Sequence, residues 1–113
     1  MRPPDFCLVL ELCDGGDLFH TLASLEGRRW DFARRLRAAA DAARGVAHLH
    51  GLSPFPVLHR DIKSLNFLIG TGGAVKLCDI GESVELTPRA AARMTERCGT
   101  GLWMAPELSL IHI

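Results

Sequence analysis

The stretch VLHRDIKSLNFLIG, residues 57–70, sets a basic pair, an aspartate, a lysine and an asparagine inside an otherwise apolar run. Such a cluster is either a solvated turn between two strands or chemistry held between them. Its surroundings decide. Downstream, NFLIG and AVKLCDI are two short apolar runs separated by TGG, the pattern of a β-hairpin. Upstream lies the longest periodic segment of the chain, from Asp31 to about His50. Leu36, Ala39, Ala40, Ala43, Val46 and Ala47 fall on one helical face there, with Arg34, Arg35, Arg37 and Arg44 mostly off it. Asp31 is placed to cap that helix, and Gly51 with Pro54 marks its end.

Before this helix, FCLVLEL (6–12) is short and nearly continuous in apolar residues, which predicts a buried strand. CDGGD supplies a turn. DLFHTLASL has helical spacing with Asp17 as its N-cap, and EGRR is expected to end that helix. After DIGE the chain turns polar and rich in Ala and Arg, and 82–100 carries no strong strand pattern. Loops of that length are often functional.

The 113 residues suffice for one small domain, and a 48% apolar content argues for a packed interior. Thirteen basic and thirteen acidic side chains cancel, so no net field recruits nucleic acid or an anionic membrane. The arginines of the long helix are expected to form a solvated face. No apolar run is long enough to span a bilayer, and MRPPDF does not read as a signal peptide, so a soluble cytoplasmic protein is expected. The cysteines at 7, 13, 78 and 98 never form a C-x-x-C pair, and the five histidines supply no zinc-like spacing. Reduced packing cysteines are expected.

His59, Arg60, Asp61, Lys63 and Asn66 fit H-R-D-x-x-x-x-N, and Asp79-Ile80-Gly81 and Ala105-Pro106-Glu107 follow in order. With the preceding strand, Gly-Gly turn and long helix, the whole chain resembles a contiguous part of a protein kinase domain, from the hinge to the end of the activation segment. The resemblance implies an α+β, partial protein-kinase-like fold: mainly the helical large lobe, with a hinge strand and a short hairpin. Residues 1–113 would form one partial domain, with hinge 6–13, two helices in 17–51, catalytic loop 57–66 and activation segment 79–107.

Phosphoryl transfer from ATP spreads charge over phosphate oxygens in a loose transition state, so positioning and electrostatics dominate. The resemblance makes Asp61 the carboxylate beside the acceptor hydroxyl and Lys63 the cation near the transferred phosphate. Asn66 and Asp79 would be hard oxygen ligands for Mg2+. His59 is implied to be a packing residue. Arg60 resembles the arginine that pairs with a phosphorylated activation loop, its planar fork suiting phosphate. Ser83, Thr87 and Thr95 are candidate acceptors. In DIG, Asp79 and Gly81 are kept while Ile80 replaces an aromatic residue, which bears on the balance of loop positions rather than on the metal chemistry.

By the same resemblance, Leu10 matches the gatekeeper, and Glu11, Leu12 and Cys13 the backbone that bonds adenine. Leu68 matches the apolar residue beneath the ring. Leu10 and Leu68 read equally well as core, and Asp17 either reaches the ribose hydroxyls or caps its helix. Lys63, and Thr100 in GTGLWMAPE, look like serine/threonine kinases, and HRDIKSLN with WMAPE is similar to the tyrosine-kinase-like group, with its Raf-like and mixed-lineage members. ATP and a protein bearing serine or threonine hydroxyls are the implied partners.

The chain opens almost at the hinge strand, without a glycine-rich loop or a V-A-I-K lysine, and no arginine follows to pair with Glu107. A piece of a kinase domain, inactive alone, is therefore expected, its alanine-faced helix leaving apolar surface uncovered. The alternatives are a kinase-like regulatory or binding module without catalysis and, remotely, an unrelated small α/β binding domain.

Overall fold

The computed structural model describes residues 7–92, 94 and 98–109. Side-chain caps start its first helices. Asp17 accepts the backbone N–H of His20 and starts α1 (Leu18–Ala23). Ser24 closes α1 and caps α2 (Leu25–Arg28), so the segment read as a helix end turns once more as a helix of its own. Asp31 caps α3 (Phe32–His50) by accepting the Arg34 N–H, and Gly51 ends it as expected.

The expected hairpin forms. β2 (Phe67–Ile69) pairs antiparallel with β3 (Val75–Leu77), with Leu68 opposite Lys76 and a tight turn at Thr71–Gly73. The Gly-Gly turn docks on the free edge of β2: the Gly15 N–H donates to Ile69 O at 2.9 Å, and the Ile69 N–H to Gly16 O at 2.8 Å. Glycine is required there by geometry. A Cβ on Gly15 would lie 2.7 Å from Ile69 O, and Gly16 has φ +70°.

Trp30, Ala38, Phe67, Ile69 and Val75 form the buried core, with Leu18, Leu22, Ala42, Val46 and Leu77 packed on it. The guanidinium of Arg34 lies 4.1 Å from the Trp30 ring centroid, a cation–π contact. Asp41 of α3 accepts the Val75 N–H at 3.0 Å and pairs with Arg44, pinning the helix to the hairpin.

Two expectations are corrected. Residues 7–12 form no strand; Leu8, Val9, Leu10 and Leu12 are 80–96% exposed, because no described element lies beside them to pair with their backbone. As expected, α3 leaves most of its alanine face uncovered and turns a neighbouring face inward. Ala38, Ala42, Gly45, Val46 and Leu49 are buried or half-buried, whereas Leu36, Ala39, Ala43 and Ala47 are exposed. The hairpin decides this: Gly45 lets Leu77 approach so closely that a Cβ would sit 3.1 Å from Leu77 Cβ. Finally, 82–100 does contain a strand, β4 (Val84–Glu85), which pairs antiparallel with β1 (Val57–Leu58). Two short helices, α4 (Pro88–Ala91) and α5 (Pro106–Ser109), complete the described elements.

Candidate active site

β1 leads directly into His59, and a 3-10 turn at Ser64–Asn66 leads into β2, so the HRD-to-Asn segment is anchored at both ends. His59 is only 2% exposed. Its Nδ1 accepts the Asp61 N–H at 3.3 Å, which leaves Nε2 to donate to Cys78 O at 2.9 Å. Both ring nitrogens are thus committed to backbone, and the histidine ties the loop to the segment before Asp79. Arg60 and Asp79 are the two non-glycine residues with positive φ among those described, at 66° and 57°. Such backbone costs about 1–3 kcal/mol per residue and tends to gather at functional sites. Arg60 Nε donates to Glu82 O, so this arginine braces the catalytic loop against the start of the activation segment.

Asp61 sits at the centre of a small polar network. Lys63 Nζ lies 2.5 Å from Asp61 Oδ2 and donates to Thr100 Oγ1 at 2.8 Å. The Thr100 hydroxyl donates to Asp61 Oδ1 at 2.7 Å. Asn66, 5% exposed, donates from Nδ2 to Asp61 O at 2.8 Å and to Asp61 Oδ2 at 3.1 Å. Three side chains, one of them 39 residues away, therefore fix this carboxylate. Gly99 permits the approach: its φ is +95°, and a Cβ there would lie 2.6 Å from Arg60 O.

The Lys63 ammonium, then the Thr100 and Asn66 hydrogen bonds, hold the Asp61 carboxyl below its ordinary 3.8, against the opposing effect of burial. A carboxylate shifted down contributes stability above pH 3.8 and loses it as pH falls through the lower folded value. We expect the Asp61 carboxyl carbon, followed by NMR against pH, to titrate with a midpoint below 3.8. A midpoint above that value would mean that the network does not hold the ionised form.

Asp79 is exposed, and among the described residues its Oδ1 accepts a long 3.3 Å bond from the Gly81 N–H and no other. The Cys78 N–H donates to Asn66 O at 2.9 Å, which brings the backbone before Asp79 against the catalytic loop. With its amide nitrogen engaged by Asp61, Asn66 keeps its carbonyl oxygen without a hydrogen-bond partner among the described residues. A carboxylate and an amide oxygen are the donor types that would suit Mg2+, which prefers oxygen ligands. No group of three or more His, Cys, Asp or Glu side chains is placed for metal binding among the described residues.

The adenine-side residues are less gathered. Leu68 is half-buried, faces Lys76 across the hairpin and bridges to Asp17. Leu10 and Leu12 are exposed and Cys13 is half-buried. Both Asp17 oxygens bond His20, one its N–H and the other its Nδ1, each at 2.8 Å, so the capping reading is the one realised. These bonds, led by the His20 N–H, pull the Asp17 carboxyl down. Glu107 is exposed in α5 and makes no ion pair among the described residues. Ser83 donates its hydroxyl to Ile80 O, Thr87 caps α4, and Thr95 lies outside the described residues.

All four cysteines are unbridged. Burial, then the Asp79 carboxylate, pushes the Cys78 thiol up; Cys7 is exposed rather than packed. Lys76, which pairs with Glu11 at 2.6 Å, was not legible as a site residue; its only sequence signal is that it is one of two lysines.

A catalytic loop, a DIG segment and an APE helix brought onto one helix-and-hairpin scaffold define the protein kinase class, and the chain belongs to it: the protein kinase domain family matches residues 1–110. Its fold is accordingly part of the kinase fold. Among its relatives, the probable serine/threonine-protein kinase SIS8 of Arabidopsis thaliana is 39% identical over 95% of this chain and 10% of its own length. Human mitogen-activated protein kinase kinase kinase 7 is 36% identical over 90% of this chain and 16% of its own. Serine/threonine-protein kinase CTR1 of Arabidopsis thaliana is 38% identical over 95% and 13% respectively. The chain thus spans less than a fifth of each of these relatives. No helix among the described residues is long and apolar enough to cross a membrane.

Proposed function

We propose that this chain is the catalytic-loop and activation segment of an ATP-dependent protein serine/threonine kinase acting in the cytoplasm. The Asp61 carboxylate carries this reading: Lys63, Thr100 and Asn66 fix both of its oxygens and favour the ionised form that an acceptor hydroxyl would need. In the reaction, the hydroxyl oxygen of serine or threonine bonds to the γ-phosphorus as the bond to the β,γ-bridging oxygen breaks. The hydroxyl proton passes to Asp61 and ADP leaves. Lys63 keeps positive charge beside both Asp61 and the transferred group. Asn66 Oδ1 and Asp79 would hold Mg2+, which when bound offsets charge on the phosphate oxygens. Thr100 joins the activation segment to the base, as serine/threonine kinases require by resemblance. Leu10, Glu11, Leu12 and Cys13 would line the adenine edge, Leu68 its underside, and Asp17 would reach the ribose by releasing His20. Arg60, already at the mouth of the activation segment, would bind a phosphate placed there.

The high exposure of Leu8 to Leu12 favours a second reading for the chain in isolation, a kinase-like binding fragment without turnover. One comparison separates the two. With γ-labelled ATP, the full-length protein should label serine or threonine in a generic acceptor protein, and the 113-residue chain should not. Absence of labelling by the full-length protein would leave only the non-catalytic reading.

A further inference from the structure

Across the hairpin from Leu68, Lys76 reaches back to the segment that precedes the first helix. Its Nζ lies 2.6 Å and 2.7 Å from the two Glu11 oxygens, joining residues 65 apart in sequence. Among the described residues of 7–13, this is the sole side-chain hydrogen bond or ion pair. Segment 7–12 has no strand pairing of its own, and the first backbone bonds to the hairpin come only at Gly15 and Gly16. Directly paired residues of antiparallel strands project to the same face. Lys76 therefore stands beside Leu68 on the face that carries the proposed adenine contact.

We propose that Lys76, through Glu11, is a positioning residue that sets the height of the adenine-bonding backbone over Leu68. The inference rests on the kinase reading for its ligand, but the tether itself is a property of the nucleotide-free protein. Glu11 strengthens the Lys76 charge in return: its hydrogen bond raises the lysine's pKa, so the cation persists throughout the neutral range. An exposed pair of this kind, 43% and 61% exposed, does little for global stability. Its effect is local, because the segment it holds has no other side-chain hydrogen bond or ion pair among the described residues.

The test uses the full-length protein with Lys76→Glu, Lys76→Arg and the exchanged pair Lys76→Glu with Glu11→Lys. Without nucleotide, hydrogen exchange at amides 7–13 should quicken about threefold or more in Lys76→Glu, and return to the original rate in Lys76→Arg and the exchanged pair. The calorimetric Kd for MgATP should rise about three- to fivefold in Lys76→Glu and recover in Lys76→Arg. Unchanged melting temperatures would show that these shifts are local. At about 1 M salt the differences should shrink. Unaltered exchange in Lys76→Glu, or failure of the exchanged pair to restore it, would overturn the tether. A restored tether with no change in MgATP affinity would overturn its role in nucleotide positioning while leaving the kinase reading intact. An unsubstituted protein that bound no MgATP would overturn both.

Discussion

Asp61→Asn is expected to lower phosphoryl transfer by roughly 10²–10⁴-fold, the usual contribution of a positioned acid or base. The substitution keeps the shape of the side chain and its ability to accept from Thr100 Oγ1, now at 2.7 Å. What it removes is the negative charge that balances Lys63 and the basic oxygen that receives the hydroxyl proton. Lys63 lies 2.5 Å from Asp61 Oδ2 with only 18% of its side chain exposed, so it loses its ionic partner in a partly desolvated place. The nucleotide contacts proposed for Leu68 and the 10–13 segment are elsewhere, so the loss should fall on the transfer step rather than on MgATP affinity. Single-turnover transfer of labelled phosphate, measured beside MgATP binding, separates the two. A rate within tenfold of the unsubstituted protein would remove Asp61 from the role of base.

Asn66→Ala should have the next largest effect, through two independent losses. The amide N–H bonds to Asp61 O and Oδ2 disappear, leaving a half-buried carbonyl unpartnered and Oδ2 to Lys63 alone, at a cost of about 1–3 kcal/mol. The carbonyl oxygen proposed for Mg2+ disappears as well, which should raise the metal concentration needed for half-maximal transfer by roughly ten- to a hundredfold. Thermal melting reports the first loss and a Mg2+ titration of activity the second. An unchanged metal requirement would strip Asn66 of its ligand role, and an unchanged melting temperature would mean that its two bonds do not brace the loop.

Much of the local structure was legible in the sequence. Asp17 and Asp31 cap helices where the apolar periodicity begins, and Gly51 ends the long one. TGG turns the hairpin between the two apolar runs. The order of HRD, DIG and APE points to the kinase family, and the family match bears it out. Other elements were misread for a common reason. FCLVLEL has the composition of a strand, yet a strand also needs a neighbour for its backbone, and none is described beside it. The alanine stripe of α3 stays largely uncovered as expected, and the hairpin docks on a neighbouring face, where Gly45 admits Leu77 and Asp41 receives the Val75 N–H. The β1–β4 pair was missed because two residues per strand carry no periodicity.

Residue types and their spacing along the chain therefore determined the caps, the turn, the helix ends and the family, since each depends on groups a few residues apart. Tertiary structure alone decided which face of α3 is buried and that Thr100 closes on Asp61. It alone decided that Lys76 ties down Glu11. Contacts between residues 37 to 65 apart arise from the path of the backbone between them. That path is set by packing of the whole core, which no local pattern encodes.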